Sequence, residues 1–269
     1  MCRHLAYLGP AVPLSRLLTE APHSLRHQSY APADMRRGGR INADGFGVGW
    51  YPDRVEPVRD AAACDAAACD AAAGGPVAVR YRRGVPMWAD ANLDMIATTV
   101  RSGAILAAVR NATVGMPILE TAAAPFHEGR WLFSHNGAVT GWPESMTKLA
   151  ERLPTRDLLT LDAPTDAALL WALLRHRLRA GAPLPDAIAE TVVDVDLAAP
   201  GSRLNLLITD GAQIAATTAG HALSVRRTDG YVLVSSEPLD DGPGWHAVDE
   251  GKLVVATPLG VDITDWGAA

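Results

Sequence analysis

The feature that most restricts the fold is a series of short apolar segments at close spacing in the last third of the chain. Each segment has four to six residues rich in Val, Ile, Leu and Thr, and Gly, Asp or Pro separates it from the next. Such a pattern is typical of short strands joined by turns, and strands joined in this way pair antiparallel. We predict strands at residues 204–209, 213–218, 223–227, 231–235, 252–257 and 261–264.

The first two thirds of the chain mix strands with a few helices. We predict strands at residues 2–9, 46–51, 77–83, 104–109 and 131–135, and helices at 14–18, 92–101, 166–179 and 185–195. The helix at 166–179 has the strongest pattern, because Thr165 can cap it and its leucines recur on one face. Residues 23–39 are polar and rich in Pro and Arg, and we predict a loop there. Mostly antiparallel strands with few helices define an α+β protein.

Composition limits the number of domains and the classes of function. The chain has 269 residues, 48% of them hydrophobic, and no linker long enough to divide it, so we expect one domain over residues 2–269. Residues 60–73 repeat Asp-Ala-Ala-Ala-Cys and are interpreted as a low-complexity insertion. Its Cys64 and Cys69 match no common metal-site spacing.

Charge and cysteine content exclude several classes of partner and location. A net charge of −6 gives no general reason to expect nucleic-acid binding. The sequence has no apolar run of about 18 residues, so we expect no membrane span, and the start of the chain does not resemble a signal peptide. Three cysteines argue against a disulfide framework and favour a reducing, cytosolic setting.

Cys2 is the first candidate for chemistry. If Met1 is removed, this residue carries a thiol and a free α-amino group on the same carbon. An α-amino group has a reference pKa of about 7.7–8.0, so a useful fraction is unprotonated near neutral pH and can accept the thiol proton. An N-terminal nucleophile that uses its own amine as base is a known solution. The alternative is that Cys2 is an ordinary small residue at the start of a strand.

Three further positions have both a chemical and a structural interpretation. Arg110 follows a buried strand, where its planar fork suits a carboxylate, or it is a surface arginine in an unspecific ion pair. Asn136 and Gly137 form either a hairpin turn or an oxyanion hole made of a side-chain amide and a backbone N–H. Asp166 stabilises the first turn of a helix or holds a substrate ammonium. The neighbouring His135 is interpreted as a structural histidine.

Taken together and in this order, these features resemble the class II glutamine amidotransferases, a branch of the N-terminal-nucleophile hydrolases. The segments that carry the resemblance are Cys2, Asp-Gly-Phe-Gly-Val-Gly-Trp at 44–50, Arg-Asn-Ala-Thr-Val-Gly at 110–115, Ser-His-Asn-Gly at 134–137, Thr-Asp at 165–166 and Ser-Ser-Glu-Pro-Leu-Asp-Asp at 235–241. The resemblance implies a four-layer αββα sandwich, in which two mostly antiparallel sheets lie between helix layers. It also implies that the nucleophile opens a central strand.

The resemblance further implies a role for each candidate residue. Cys2 would be the nucleophile with its own amine as base, and Asn136 and Gly137 would be the oxyanion donors. Arg110, with Thr113 beside it, would hold the α-carboxylate of a glutamyl group, and Asp166 would hold its α-ammonium. Val114 departs from the family members that have histidine at this position, so the resemblance does not assign the glutamyl contact that this histidine would make. No metal and no cofactor are implied.

The substrate is expected to be a small γ-glutamyl amide. The family domain fills the chain and leaves no room for a synthase domain that would use ammonia, so the resemblance implies a free-standing hydrolase. Residues 1–5, 28–32, 107–118 and 220–227 resemble the branch that acts in ergothioneine biosynthesis. A substrate of that branch carries a trimethylammonium group, which favours aromatic faces. The candidates are Trp50, Trp88 and Trp245, although core packing is the alternative interpretation for each.

Two other functions remain open at this point. The first is a glutathione-type γ-glutamyl peptidase that works with a partner subunit. The second is a non-catalytic, amidotransferase-like subunit that binds a partner. The sequence does not identify protein partners.

Overall fold

The structure is a computed structural model that describes residues 2–34, 41–52 and 76–267. Within these residues the strands are β1 (Arg3–Pro13), β2 (Phe46–Trp50), β3 (Val79–Arg83), β4 (Arg101–Val109), β5 (Phe126–Glu128), β6 (Trp131–Ala138), β7 (Arg203–Thr209), β8 (Ile214–Thr217), β9 (Ser224–Thr228), β10 (Tyr231–Ser235), β11 (Trp245–Ala247), β12 (Lys252–Thr257) and β13 (Gly260–Asp265). The α-helices are α1 (Leu25–Tyr30), α2 (Leu93–Thr99), α3 (Thr147–Ala150), α4 (Thr155–Leu159), α5 (Asp166–Arg179) and α6 (Leu184–Ala198).

The strands form two sheets. The first has seven strands in the order β11-β9-β10-β1-β4-β2-β3, and the second has six in the order β13-β12-β8-β7-β6-β5. Every strand pair recorded in the described residues is antiparallel. β1 occupies the middle of the first sheet, between β10 and β4. The strand that begins directly after Cys2 is therefore central, as the family resemblance implies.

Three apolar clusters join these sheets and helices into four layers. The outer face of the first sheet packs against α1 and α2. This cluster contains Leu5, Val48 and Ile105 of the sheet together with Leu25 and Leu93 of the helices. On the outer face of the second sheet, Phe133 and Leu206 pack with Trp171 of α5 and Ile188 of α6. A third cluster lies between the sheets and contains Leu8, Leu106, Leu132, Leu207 and Val254. The order helix, sheet, sheet, helix confirms the predicted αββα sandwich.

The glycines of β2 allow the two sheets to approach each other closely. A Cβ at Gly47 would lie 2.4 Å from the carbonyl oxygen of Ala124, and one at Gly49 would lie 2.7 Å from the Leu132 side chain. Real Cβ atoms do not make such contacts, so a larger residue would push the sheets apart. Alternating glycines weaken a strand unless another backbone must come near, and here the segment around Ala124 does so.

The structure corrects several of the predicted elements. Residues 23–39 were predicted as loop, but residues 25–30 form α1, because Ser24 caps the helix at the His27 N–H and Leu25 is fully buried. β1 continues beyond the predicted end at residue 9 and reaches Pro13 through an irregularity in its register with β4. The helix predicted at 14–18 is a single π-helical turn at Arg16–Glu20. The repeat at residues 60–73, with both of its cysteines, lies outside the described residues.

Candidate active site

The pairing of β1 with β4 places Cys2 beside Arg110. Arg3 lies opposite Val109 in this register, so the residues that precede β1 and follow β4 meet at the same edge of the sheet. The Cys2 thiol is partly exposed and lies 3.8 Å from the carbonyl oxygen of Asn111. Cys2 therefore lies next to the segment that follows β4.

One cleft contains five of the six site residues predicted from the sequence. Its walls include Cys2, Arg110, Thr113, Gly137 and Asp166. The sixth, Asn136, is fully buried immediately beside Gly137. The lining of the cleft also includes Met116, Phe126, Ser134 and His135. Residues that are 135 positions apart in sequence, such as Cys2 and Gly137, thus line a single cavity.

Arg110 presents a buried cation to this cleft. Its side chain is 9% exposed, and Nη1 donates to the carbonyl oxygen of Pro117 at 2.8 Å. Among the described residues, no carboxylate lies close enough to the Arg110 guanidinium to form an ion pair, that is, within 4.0 Å. A buried guanidinium without a counter-charge is costly, so the arrangement favours an anionic ligand.

Asp166 is the complementary anion on the other wall of the cleft. Thr165 caps α5 by accepting from the Ala168 N–H, which sets the start of the helix. Asp166 is 7% exposed, and its carboxylate accepts from the Val139 N–H at 3.0 Å and from the Ala167 N–H at 2.8 Å. Within the described ranges it has no lysine or arginine partner. Its position is therefore fixed by backbone donors, while its charge remains available to a ligand.

The Asp44–Gly45 turn fixes the segment that carries Arg110. The Arg110 N–H donates to the Gly45 carbonyl at 2.8 Å, and the Asp44 N–H donates to the Arg110 carbonyl at 3.0 Å. The Asp44 carboxylate accepts from the Ala112 N–H at 2.8 Å. Gly45 has φ +128°, a conformation that other residues rarely adopt. These contacts explain why residues 44 and 45 accompany the arginine segment in the sequence pattern.

Thr113 and Val114 lie on the exposed part of the same segment. Thr113 is at the rim of the cleft, whereas Val114 is fully exposed and does not line it. The position at which Val114 replaces the family's histidine thus makes no contact with the cleft in this structure.

Asn136 and Gly137 lie inside β6, so the interpretation of these residues as a hairpin turn is wrong. They pair with Asn205 and Leu204 of β7. The Leu204 N–H donates to the Ala219 carbonyl on its other side, so Gly137 occupies a non-hydrogen-bonded position against β7. The Gly137 N–H therefore points away from β7. The pairing of β5 with β6 involves only residues 131–133 and does not reach it.

The surroundings of Gly137 leave no room for a side chain. A Cβ at this position would lie 1.8 Å from the Arg203 carbonyl oxygen and 2.5 Å from His135 Nε2. His135 itself is held in place, because its Nε2–H donates to the Arg203 carbonyl at 2.9 Å. This contact agrees with the interpretation of His135 as a structural histidine.

The Asn136 amide is buried without a hydrogen-bond partner. Neither Nδ2 nor Oδ1 has one among the described residues, although the residue is 0% exposed. An unsatisfied buried polar group costs about 1–3 kcal/mol, and few remain in native structures without a reason. Beside the outward-facing N–H of Gly137, this amide can donate to an oxygen of a bound ligand.

Two buried histidines near Cys2 were not identified from the sequence. His4 is 0% exposed and shares a hydrogen bond of 3.2 Å between Nδ1 and Ser134 Oγ. Burial, with further contributions from His135, His221 and Arg3, lowers the pKa of His4 to about 3. Burial also lowers the pKa of His221 to about 3, with Arg203 and Arg3 adding to the effect. Both rings are therefore neutral at neutral pH. Alternation along β1 could have predicted that His4 lies on the same face as Cys2. His221 lies between β8 and β9, and no local pattern connects it to Cys2.

The tryptophans considered for a trimethylammonium group lie elsewhere. Trp50 pairs with Ile105, at the far end of β2 from the cleft, and packs against the outer core. Trp245 donates to Asp240 and stacks on Arg226. Trp88 is 42% exposed and meets Tyr30 edge to face, with ring centroids 5.9 Å apart. None of the three lines the cleft.

Two antiparallel sheets between helix layers, with a cysteine before the central strand, define the N-terminal-nucleophile hydrolase class. The chain belongs to the class-II glutamine amidotransferases, since the sequence profile of that family matches residues 19–231. None of the described helices is both long enough and apolar enough to cross a membrane.

Similarity to individual proteins extends over almost the whole chain. The chain is 39% identical over 266 residues to gamma-glutamyl-hercynylcysteine sulfoxide hydrolase of Mycobacterium tuberculosis, covering 98% of this chain and 96% of that protein. It is 39% identical over 267 residues to the protein of the same name from Mycolicibacterium smegmatis, covering 96% of this chain and 100% of the other. A solved class-II domain protein from Silicibacter pomeroyi superposes with a TM-score of 0.61 at 24% identity, over 98% of this chain and 99% of that one.

Proposed function

We propose that this protein hydrolyses the γ-glutamyl amide bond of γ-glutamyl-hercynylcysteine S-oxide, releasing glutamate and hercynylcysteine S-oxide in ergothioneine biosynthesis. The observation that carries the proposal is that one cleft holds a partly exposed cysteine thiol, a buried cation and a buried anion, each charge without a counter-ion in the described residues. The names of the relatives that are 39% identical support the choice of substrate.

The two charges suit the α-amino acid end of a glutamyl group. The Arg110 guanidinium binds the α-carboxylate through charge-assisted hydrogen bonds, and Thr113 lies beside it at the rim. Asp166 binds the α-ammonium. Holding both charges leaves the γ-carbonyl as the free end of the glutamyl chain, which then extends towards Cys2. This arrangement orients the reacting carbon before any bond changes.

The reaction proceeds by acyl transfer once Met1 has been removed. The α-amine of Cys2 takes the thiol proton, and Sγ attacks the γ-carbonyl carbon. The resulting oxyanion accepts hydrogen bonds from the Asn136 amide and the Gly137 N–H. The ammonium then gives its proton to the leaving nitrogen, the C–N bond breaks and a glutamyl thioester remains. Water, deprotonated by the same amine, hydrolyses the thioester to glutamate and the free thiol. This scheme uses no metal and no cofactor.

The low cysteine content of the chain supports a cytosolic setting for this chemistry, because a reactive thiol persists in a reducing compartment. We also propose that residues 2–269 act as one catalytic domain.

The test is a substrate comparison with the purified full chain. The mature N-terminus is first checked by mass spectrometry. The protein is then incubated separately with γ-glutamyl-hercynylcysteine S-oxide, glutathione and glutamine, and glutamate release is measured. We expect the sulfoxide substrate to be turned over with the highest kcat/KM. Preferred turnover of glutathione would favour the peptidase function instead, and no turnover of any substrate by Met1-free protein would favour a non-catalytic subunit.

A further inference from the structure

The segment at residues 235–241 carries part of the family resemblance but has no role in the mechanism above. It begins where β10 pairs with β1, the strand that follows Cys2. Beyond the last residue pair of these two strands, the Ser236 N–H donates to the His4 carbonyl at 2.9 Å, and the His4 N–H donates to Ser236 Oγ at 3.0 Å. The antiparallel register thus continues past the end of β10, towards the residue next to Cys2.

Glu237 is a buried carboxylate at the start of β1. One more step of the same register places it opposite Arg3, and the residue is 2% exposed. Its Oε2 accepts from the Ala33 N–H at 2.9 Å and from the Asp34 N–H at 2.8 Å. Glu237 therefore holds the chain at residues 33–34 against the beginning of β1.

Arg3 connects this arrangement to Cys2. The residue is 2% exposed, its Nη2 donates to the Asp34 carbonyl, and its Nη1 donates to the Cys2 carbonyl at 3.5 Å. Burial lowers the pKa of Arg3, and the negative charges of Glu237 and Asp34 oppose this shift. Removing the charge of Glu237 therefore leaves a buried cation with less compensation directly behind Cys2.

A nucleophile at the start of a chain is held from one side only. Once Met1 has been removed, no preceding peptide restrains Cys2, so the directions of its amine and thiol depend on the backbone that follows. That backbone is held at Arg3 and His4. On one edge it pairs with β4, and on the other it contacts residues 236–237.

We propose that Ser236 and Glu237 are positioning residues, which hold the backbone behind Cys2 and thereby set the direction of its thiol and α-amine in the cleft. The inference rests on the N-terminal mechanism proposed above. Ser236 acts on the backbone of His4 directly, and Glu237 acts through Arg3 and through residues 33–34. Neither of these two described side chains lines the cleft, so both act without touching the glutamyl group.

A misplaced thiol should lower kcat much more than it raises KM. The residues proposed to bind the substrate charges, Arg110 and Asp166, make none of the contacts described for Ser236 and Glu237. A displacement of about 1 Å between reacting atoms can cost about 10²-fold in rate.

Graded substitutions separate the charge of Glu237 from its hydrogen bonds. Glu237→Gln keeps an oxygen that can accept from the two N–H groups but removes the charge, whereas Glu237→Ala removes both. We expect kcat to fall about 10-fold in Glu237→Gln and in Ser236→Ala, and about 100-fold in Glu237→Ala, with KM within about 3-fold. Asp240→Asn is the matched control. Asp240 belongs to the same segment, accepts from the Gly242 N–H at 2.9 Å and from Arg226 at 2.8 Å, and does not line the cleft, so kcat should stay near wild type.

A second measurement compares two reagents that alkylate Cys2 in the Met1-free enzyme. Iodoacetamide reacts with an accessible thiol whatever its direction. The glutamine analogue 6-diazo-5-oxo-L-norleucine instead requires a thiol held at its γ-end, with which it forms a thioether as N₂ leaves. Both reactions are followed by mass spectrometry of the N-terminal peptide. We expect the rate with the analogue, divided by the rate with iodoacetamide, to fall about 10-fold or more in Glu237→Ala, less in Glu237→Gln, and not in Asp240→Asn.

The outcomes distinguish a positioning role from a purely structural one. A folded Glu237→Ala variant with wild-type kcat and rate ratio would overturn the proposal, and so would a loss of Tm alone. If Glu237→Ala does not fold, wild-type values in Glu237→Gln and Ser236→Ala would overturn it. A reduced ratio in these variants, with no turnover of the sulfoxide by the wild-type enzyme, would overturn the proposed substrate and leave the positioning role supported. No reaction of the wild-type enzyme with the analogue would overturn the N-terminal mechanism and this inference with it.

Discussion

Replacing Gly137 with alanine tests whether the backbone of β6 forms part of the catalytic site. The added methyl group would lie 1.8 Å from the Arg203 carbonyl oxygen and 2.5 Å from His135 Nε2. Neither neighbour can move freely, because Arg203 of β7 pairs with Ala138 of β6 and His135 is bonded to the Arg203 carbonyl. The strand itself must therefore shift, and the Gly137 N–H shifts with it.

This shift has two measurable consequences. Overpacking of a buried position costs about 1–3 kcal/mol, which corresponds to a fall in Tm of roughly 2–4 °C for each kcal/mol in a chain of this size. Misplacing one oxyanion donor lowers kcat by about 10²–10³. Because the donor acts on the transition state, KM should change much less than kcat.

The assay is steady-state glutamate release together with thermal unfolding. Gly260→Ala is the matched control, since a Cβ there meets nothing within 4 Å and both activity and Tm should stay near wild type. A Gly137→Ala variant with wild-type kcat would refute the assignment of this N–H to the oxyanion. A variant that loses only stability would refute it as well.

Three further perturbations test other parts of the site and its surroundings. Arg110→Ala should raise KM about 100-fold or more, because charged hydrogen bonds to the α-carboxylate are lost, while Tm changes little; an unchanged KM would contradict its role. Asp166→Asn should abolish the preference of the enzyme for γ-glutamyl amides over analogues that lack the α-amino group, measured as a ratio of kcat/KM. His4, with a pKa lowered from the ordinary 6.5 to about 3, binds its proton only in the unfolded chain between these values. The free energy of unfolding should therefore fall as pH is lowered through this range, by up to about 1.4 kcal/mol per pH unit for this group. Urea titrations at several pH values should show that the free energy of unfolding of His4→Gln depends less steeply on pH than that of the wild-type protein, and an unchanged pH dependence would contradict this role of His4.

The sequence predicted those helices and strands whose ends and buried faces are set by residues within the element itself or directly beside it. α5 begins and ends as predicted, because Thr165 caps it and its leucines share one face. The buried parts of the central strands β1 and β4 were also predicted, since continuous apolar runs such as residues 104–109 suit a strand buried on both faces, although β4 already begins at Arg101.

Other features depend on contacts that are distant in sequence. Asn-Gly at 136–137 resembled a hairpin turn, and only the pairing with β7 shows that both residues continue a strand. α1 was missed because Leu25 gains its stability from the outer face of the first sheet rather than from its neighbours. The three-residue strands β5 and β11 are too short to show any alternation.

The candidate site follows the same division. Cys2, Arg110, Asn136, Gly137 and Asp166 were selected through the family resemblance, and the structure brings them to one cleft or directly beside it. His221 was not selected, since its position results from the Asn205 side chain rather than from a local motif. The proposed aromatic contacts to a trimethylammonium group failed for the opposite reason, because the tryptophans are used for packing or lie away from the cleft.

The most direct test of the account is the mass of the N-terminal peptide during turnover. The Met1-free enzyme is mixed with γ-glutamyl-hercynylcysteine S-oxide, quenched in acid within its first turnovers and digested. We predict that the peptide beginning at Cys2 gains the mass of one glutamyl group, that hydroxylamine removes it, and that neither Cys2→Ala nor protein retaining Met1 shows the adduct. Glutamate release by Cys2→Ala, or a glutamyl adduct on any other residue, would contradict the claim that Cys2 is the nucleophile.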